Sequence, residues 1–112
     1  MASTTFSGPV TSTNGFVAGT GNTVTSVLTV TSTINFAAIA ANTTSDSSAI
    51  TVTGAAVNDV VMVGPPAAIE SGLVITGYVS AANSVKVRAA NVTGSSIDPA
   101  SGSFKVVVVK VT

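Results

Sequence analysis

Every apolar run in this chain is short, rich in Val, Ile and Thr, and closed by Gly, Asn, Asp or Pro. Branching at Cβ stiffens such side chains and favours extended backbone over helix. The closing residues recur every ~8–12 positions, the spacing of an antiparallel sandwich or barrel. The pattern predicts strands over Thr23–Thr31, Thr33–Ile39, Ser48–Thr53, Asp59–Val63, Leu73–Ser80, Ser84–Ala90 and Phe104–Val111. The expected fold is therefore all-β, a small antiparallel β-sandwich or barrel of about seven strands. With 112 residues it forms one domain, over residues 23–112, preceded by an arm over residues 1–22.

Three stretches refine this picture. Ala81-Ala82-Asn83 is short enough to close a hairpin, and in the strand that follows Val85 and Val87 alternate with Ser84, Lys86 and Arg88, which marks one wet face. The last strand, "FKVVVVKV", puts Phe104, Val106 and Val108 on one face and Val107, Val109 and Val111 on the other. A strand apolar on both faces is expected to be buried on both, in a sheet centre or at a subunit contact. In Val57–Val79, Asn58 and Asp59 supply a turn and Pro65-Pro66 end the strand before them. "AAIES" then predicts one helical turn, capped by Gly72.

The arm is rich in Ser, Thr and Gly, and its two aromatic anchors are Phe6 and Phe16. We expect it to be extended or disordered in a free monomer and to dock on a neighbour. "VTSTNGF" at 10–16 returns as "VTSTINF" at 30–36, two copies, where a repeat architecture needs at least three.

Composition narrows the function. Charged residues make up 7 % of the chain, against roughly 25 % in ordinary soluble domains. A compact fold of 10.9 kDa exposes roughly 5,600 Å² of surface, which 4 basic and 4 acidic side chains cannot cover. Such a surface has little electrostatic protection against association. No basic patch can be assembled, so no nucleic-acid partner is expected. Mean hydropathy is +0.64, yet no apolar run nears the ~20 residues of a membrane-spanning helix. The first residues lack the basic and apolar regions of a secretory signal.

Catalytic chemistry is hard to assemble from these residues. With no Cys and no His, thiol nucleophiles, the Ser-His-Asp triad and the commonest metal ligands are missing. Asp46, Asp59, Glu70 and Asp98 each stand among turn residues, where turn and cap roles account for them better than an acid/base pair does. No motif supports a Ser–Lys dyad with Lys86, Lys105 or Lys110, and "GTGNT" at 19–23 is not a phosphate loop. "DPASG" at 98–102 offers one Asp, too few for a Ca²⁺ loop of the EF-hand type. "NTT" at Asn42 and "NVT" at Asn91 match the glycosylation pattern, as chance allows in a Thr-rich chain. Arg88 is expected to solvate a face or to pair with an acid across subunits, and Tyr78 to be buried or at an interface. No cofactor, metal site or catalytic residue is expected.

The pieces "TVTGAAV", the strand before "GPP", "GYVSAANSVKVR", "ANVTG" and "IDPASGSFKVVVV" resemble the C-terminal module of small tailed-phage virion proteins. These are of the head-fibre or capsid-decoration (cement) type. "TINFAAIAANTTS" and "FSGPVTSTNGF" are similar to their connecting segment and N-terminal lead. One departure is Asn58, where Gly is expected before the Asp; Asn also tolerates positive φ. The resemblance implies a non-enzymatic virion protein made in the host bacterial cytoplasm. It would decorate the outer capsid surface as a homotrimer bridging copies of a major capsid protein. Phe6, Val10, Phe16, Val17, Val107 and Val109 would then be its capsid or subunit contacts. The alternative is a head-fibre or tail-fibre tip binding a host-surface glycan. Clustered exposed aromatics would mark such a tip, and aromatics are only 4 % of the chain, with no Trp.

Overall fold

A computed structural model describes residues 3–112; residues 1 and 2 of the expected arm lie outside the described residues. The described chain contains eight strands and no helix. They are β1 (Phe16–Val17), β2 (Thr23–Ile34), β3 (Thr44–Asp46), β4 (Ile50–Thr51), β5 (Val60–Gly64), β6 (Leu73–Ala81), β7 (Ser84–Asn91) and β8 (Gly102–Val111).

Two antiparallel four-stranded sheets face each other, as in a small β-sandwich. The first runs β1-β2-β8-β5. In the second, β7 pairs with β6 along one edge and with β3 and β4 in succession along the other. Between β3 and β4 the ladder is continued by Ser47, a buried residue. Its N–H donates to the Val87 carbonyl at 2.8 Å, and its Oγ accepts the Val87 N–H at 3.0 Å. The β6–β7 hairpin closes through Ala82-Asn83, with Asn83 at φ 62°. The side-chain oxygen of Asn83 accepts the Gly54 N–H, which ties the hairpin to the loop before β5.

The core lies between the sheets, where side chains alternate inward with a period of two. Phe104, Val106 and Val108 of β8 and Val85, Val87 and Ala89 of β7 are at most 1 % exposed. Phe36 meets Phe104 edge to face with centroids 6.1 Å apart. Asn91, 2 % exposed, ends β7 with its amide fully engaged. Its Nδ2 donates to the carbonyls of Ile39 and Ser95, and its Oδ1 accepts from the N–H and hydroxyl of Thr93. That side chain has no room for a glycan. At one side the sheets close on each other, because Gly77 of β6 carries no Cβ to keep off Val61 and Val63 of β5.

The structure departs from the sequence reading at four places. The two strands expected over Thr23–Ile39 are one strand ending at Ile34, followed by an irregular crossing held by the Ile39–Ile97 bridge. The expected strand over Ser48–Thr53 is confined to β4, because Ser47 has taken over the adjacent ladder position. No helical turn forms over "AAIES". The stretch folds as two successive turns, Pro66–Ile69 and Glu70–Leu73. Gly72 does have positive φ, 93°, but at the third position of the second turn, which a type II turn reserves for glycine. Finally, β8 is fully buried on its inner face only. Val107 and Val109 are half-buried and Val111 is 52 % exposed, since a chain of this length has no third layer to cover them.

Gly72 yields a stability prediction. A side chain there combines left-handed strain with a collision against the Thr93 methyl. Gly72→Val is expected to lower the urea unfolding free energy by about 2 kcal/mol or more. A variant as stable as the parent would contradict the turn geometry.

Candidate functional site

Residues directly opposite in a ladder share a face, so the register maps the outer surface of the first sheet row by row. Val27, Val109 and Val60 form one row across β2, β8 and β5, and Thr29, Val107 and Met62 form the next. On one side follow Thr31, Lys105 and Gly64. On the other, the bulge between Val24 and Ser26 brings Val24 opposite Val111, and β1 adds Phe16 opposite Val24. The result is a three-row apolar band with one ammonium, Lys105, at its end. Val27, Val60, Met62, Val111 and Phe16 are each 52–61 % exposed, so the described residues leave the band open to solvent.

Of the residues expected at an interface, Phe16, Val107 and Val109 are thus brought onto one face. Val17 pairs with Thr23 on the opposite side of the same edge and is 49 % exposed. Phe6 and Val10 stand apart on the arm, 67 % and 63 % exposed, among residues 3–14 that all face solvent. Val24, Val27, Val60 and Met62 were missed in the sequence. Their signal is alternation in β5 and beyond the bulge in β2, but only the pairing shows that they lie beside Val107 and Val109.

The opposite face of the molecule is polar and carries its own cluster. Arg88 on β7 lies directly across from Asp46 on β3. Its Nε and Nη2 donate to the Asp46 carboxylate at 2.7 and 3.0 Å. Tyr78 on β6 donates its hydroxyl to the same carboxylate at 2.6 Å, and the Arg88 guanidinium sits 4.7 Å from the Tyr78 ring centroid. Arg88 therefore finds its acid within its own chain, not across a subunit boundary. Tyr78 is half-buried on this outer face, its ring covered by Arg88. The Arg88 and Tyr78 hydrogen bonds hold the Asp46 carboxyl down at about 2. The same carboxylate pushes the Tyr78 and Arg88 groups upward.

The remaining carboxylates are dispersed. Asp59 accepts from the Lys110 ammonium at 2.6 Å and from the Ala56 N–H at 2.9 Å, contacts that lower its carboxyl. Asn58 beside it holds φ 79°, the positive value expected of the turn. Glu70 accepts the Ala100 N–H. Among the described residues, no three acids gather as a metal site. A cleft of about 280 Å³ between Ser32–Ala37 and Ser45–Ile50 is lined by one acid, Asp46, already held by Arg88 and Tyr78. Among the described residues no helix is long and apolar enough to cross a membrane. Comparison with family models, curated proteins and solved structures found no match.

The Asp46 cluster gives a pH dependence. A carboxyl whose folded value lies below its ordinary 3.8 adds stability above that value and loses it as pH falls toward about 2. The urea midpoint of the parent is expected to drop between about pH 4 and pH 2, and Asp46→Asn to flatten part of that drop. A parent and variant with parallel profiles would show that the pair adds nothing to stability.

Proposed function

We propose that the chain is a structural virion protein that decorates the outer surface of a phage capsid as a homotrimer bridging major capsid proteins. The observation that carries this reading is the uncovered apolar band over β2, β8 and β5. Single rows of Val on a surface are ordinary, but a contiguous apolar face across three strands is the mark of a contact surface. The exposed surface is 7008 Å², about a quarter more than the roughly 5,600 Å² of a compact chain of this mass. The radius of gyration is 17.4 Å, against ~13 Å for a compact domain of this length. Both excesses accompany an arm whose residues 3–14 all face solvent. The resemblance of the strand and turn motifs to capsid-decoration proteins supplies the setting. The carboxylates fit a structural role, since Asp46, Asp59 and Glu70 are all engaged in cross-links or turns.

The test is binding to particles that lack the protein. The parent should saturate them and appear in electron micrographs as knobs at local threefold positions. Val107→Asp combined with Val109→Asp should abolish binding while circular dichroism stays that of the parent. Asp59→Asn and Glu70→Gln should each leave binding unchanged. A folded double Asp variant that still decorates particles would remove the apolar band from the contact. Loss of binding on Glu70→Gln alone would point to chemistry at that carboxylate.

A further inference from the structure

Strand β2 is twelve residues long, yet on the edge away from β8 its partner β1 covers only Thr23 and Val24. From Ser26 to Ile34 that edge pairs with no strand among the described residues. Free N–H and C=O groups along an edge are a template for another chain, and proteins blunt them with Lys, Pro, bulges or short length. Ser26–Ile34 contains no charge, no Pro and no Gly. The sandwich is also open on this side, where the cleft between Ser32–Ala37 and Ser45–Ile50 separates the sheets. The inward side chains Leu28 and Val30 are only half-buried, so the core lacks a cover at its β2 rim.

We propose that this edge receives residues 6–14 of the arm of a second copy, added to the first sheet as a further strand. The inference rests on the self-association in the proposed function and names the contact that the arm makes within it. Four observations select the arm. Residues 3–14 all face solvent and belong to no strand. The stretch is long enough to span Ser26–Ile34, and its four residues "VTST" at 10–13 are those of β2 at 30–33. In β2 that tetrapeptide puts Val30 and Ser32 inward and Thr31 and Thr33 outward. As a strand the arm has the same pattern, with Phe6 and Val10 on one face and Thr11 and Thr13 on the other. Pairing would lay Phe6 and Val10 over the Leu28–Val30 rim and align Thr with Thr outside. Pro9 in the added strand would blunt the new edge.

The chain's own arm is steered away from this site. Before β1 it leaves the edge through a turn in which the Ser12 hydroxyl donates to the Gly15 carbonyl at 2.5 Å. A neighbour's arm carries the same turn, which opens as residues 12–14 enter the added strand, and exchange of identical arms closes a symmetric oligomer at little cost.

Amide hydrogen exchange on the full chain, with light-scattering mass recorded alongside, tests the exchange. In β2 every second amide already bonds to β8; the others point to the free edge. Those edge amides of Ser26–Ile34 are expected to be protected, and more so as concentration rises. Thr11→Pro with Ser12→Pro removes arm amides of both orientations, and should abolish that protection while β6–β7 protection persists. Edge protection independent of concentration in a monomer would mean that the chain's own arm folds back, which overturns the proposal. An oligomer whose edge amides exchange freely would also overturn it, while leaving decoration by the apolar band intact. Particle binding by the proline variant at parent level would likewise separate the two readings.

Discussion

Strand β8 is the element on which the rest of the fold depends. It pairs with β2 over Val24–Ile34 and with β5 over Val60–Gly64, so it joins three strands of the first sheet. Its inward Phe104, Val106 and Val108 are almost wholly removed from water. At about 25 cal/mol per Å² of apolar surface, such side chains dominate the stability of a small domain. The same strand, with period two, has no option but to present Val107, Val109 and Val111 on the other side. A ten-residue Val-rich strand at the centre of a two-layer fold therefore fills one core and creates one sticky face together. The apolar band is a consequence of how the sheet is built, extended by Val27, Val60 and Met62 in register beside it.

The few charges are placed where they fix geometry. Asp46 and Arg88 bind β3 to β7 across the polar face, with Tyr78 joining from β6. Asp59 and Lys110 bind the turn before β5 to the end of β8. Ion pairs this close to the surface contribute little stability each. Their effect here is on register, since each links strands that a slip by one residue would separate. That use leaves the band on the first sheet almost free of charge, with Lys105 at its margin.

Much of the fold was legible in the sequence because the signals are local. Thr23–Thr31, Leu73–Ser80, Ser84–Ala90 and Phe104–Val111 were readable from β-branched runs and their turn residues, as was the positive φ at Asn58 and Gly72. What was not legible depends on partners distant in the chain. The helical turn expected over "AAIES" has suitable local propensity, but one turn cannot hold without packing, and two β-turns place Leu73 at once in β6. Ser47 looks like any loop serine until Val87 lies opposite it. Arg88 offered no hint in sequence that its acid lies 42 residues earlier. The candidate contact residues divide in the same way. Val107 and Val109 share a face by alternation, but Phe16 joins them only through a bulge in β2, which no sequence pattern announces.

The central claim is that a single copy of this chain is an incomplete object, its apolar band requiring neighbours. Sedimentation equilibrium of the full chain at micromolar concentration tests this most directly. The account predicts a discrete species near three times the chain mass of 10.9 kDa, reduced toward one chain mass when Val109 carries a charge. A stable, monodisperse monomer across that concentration range, with the band open to water, would contradict it.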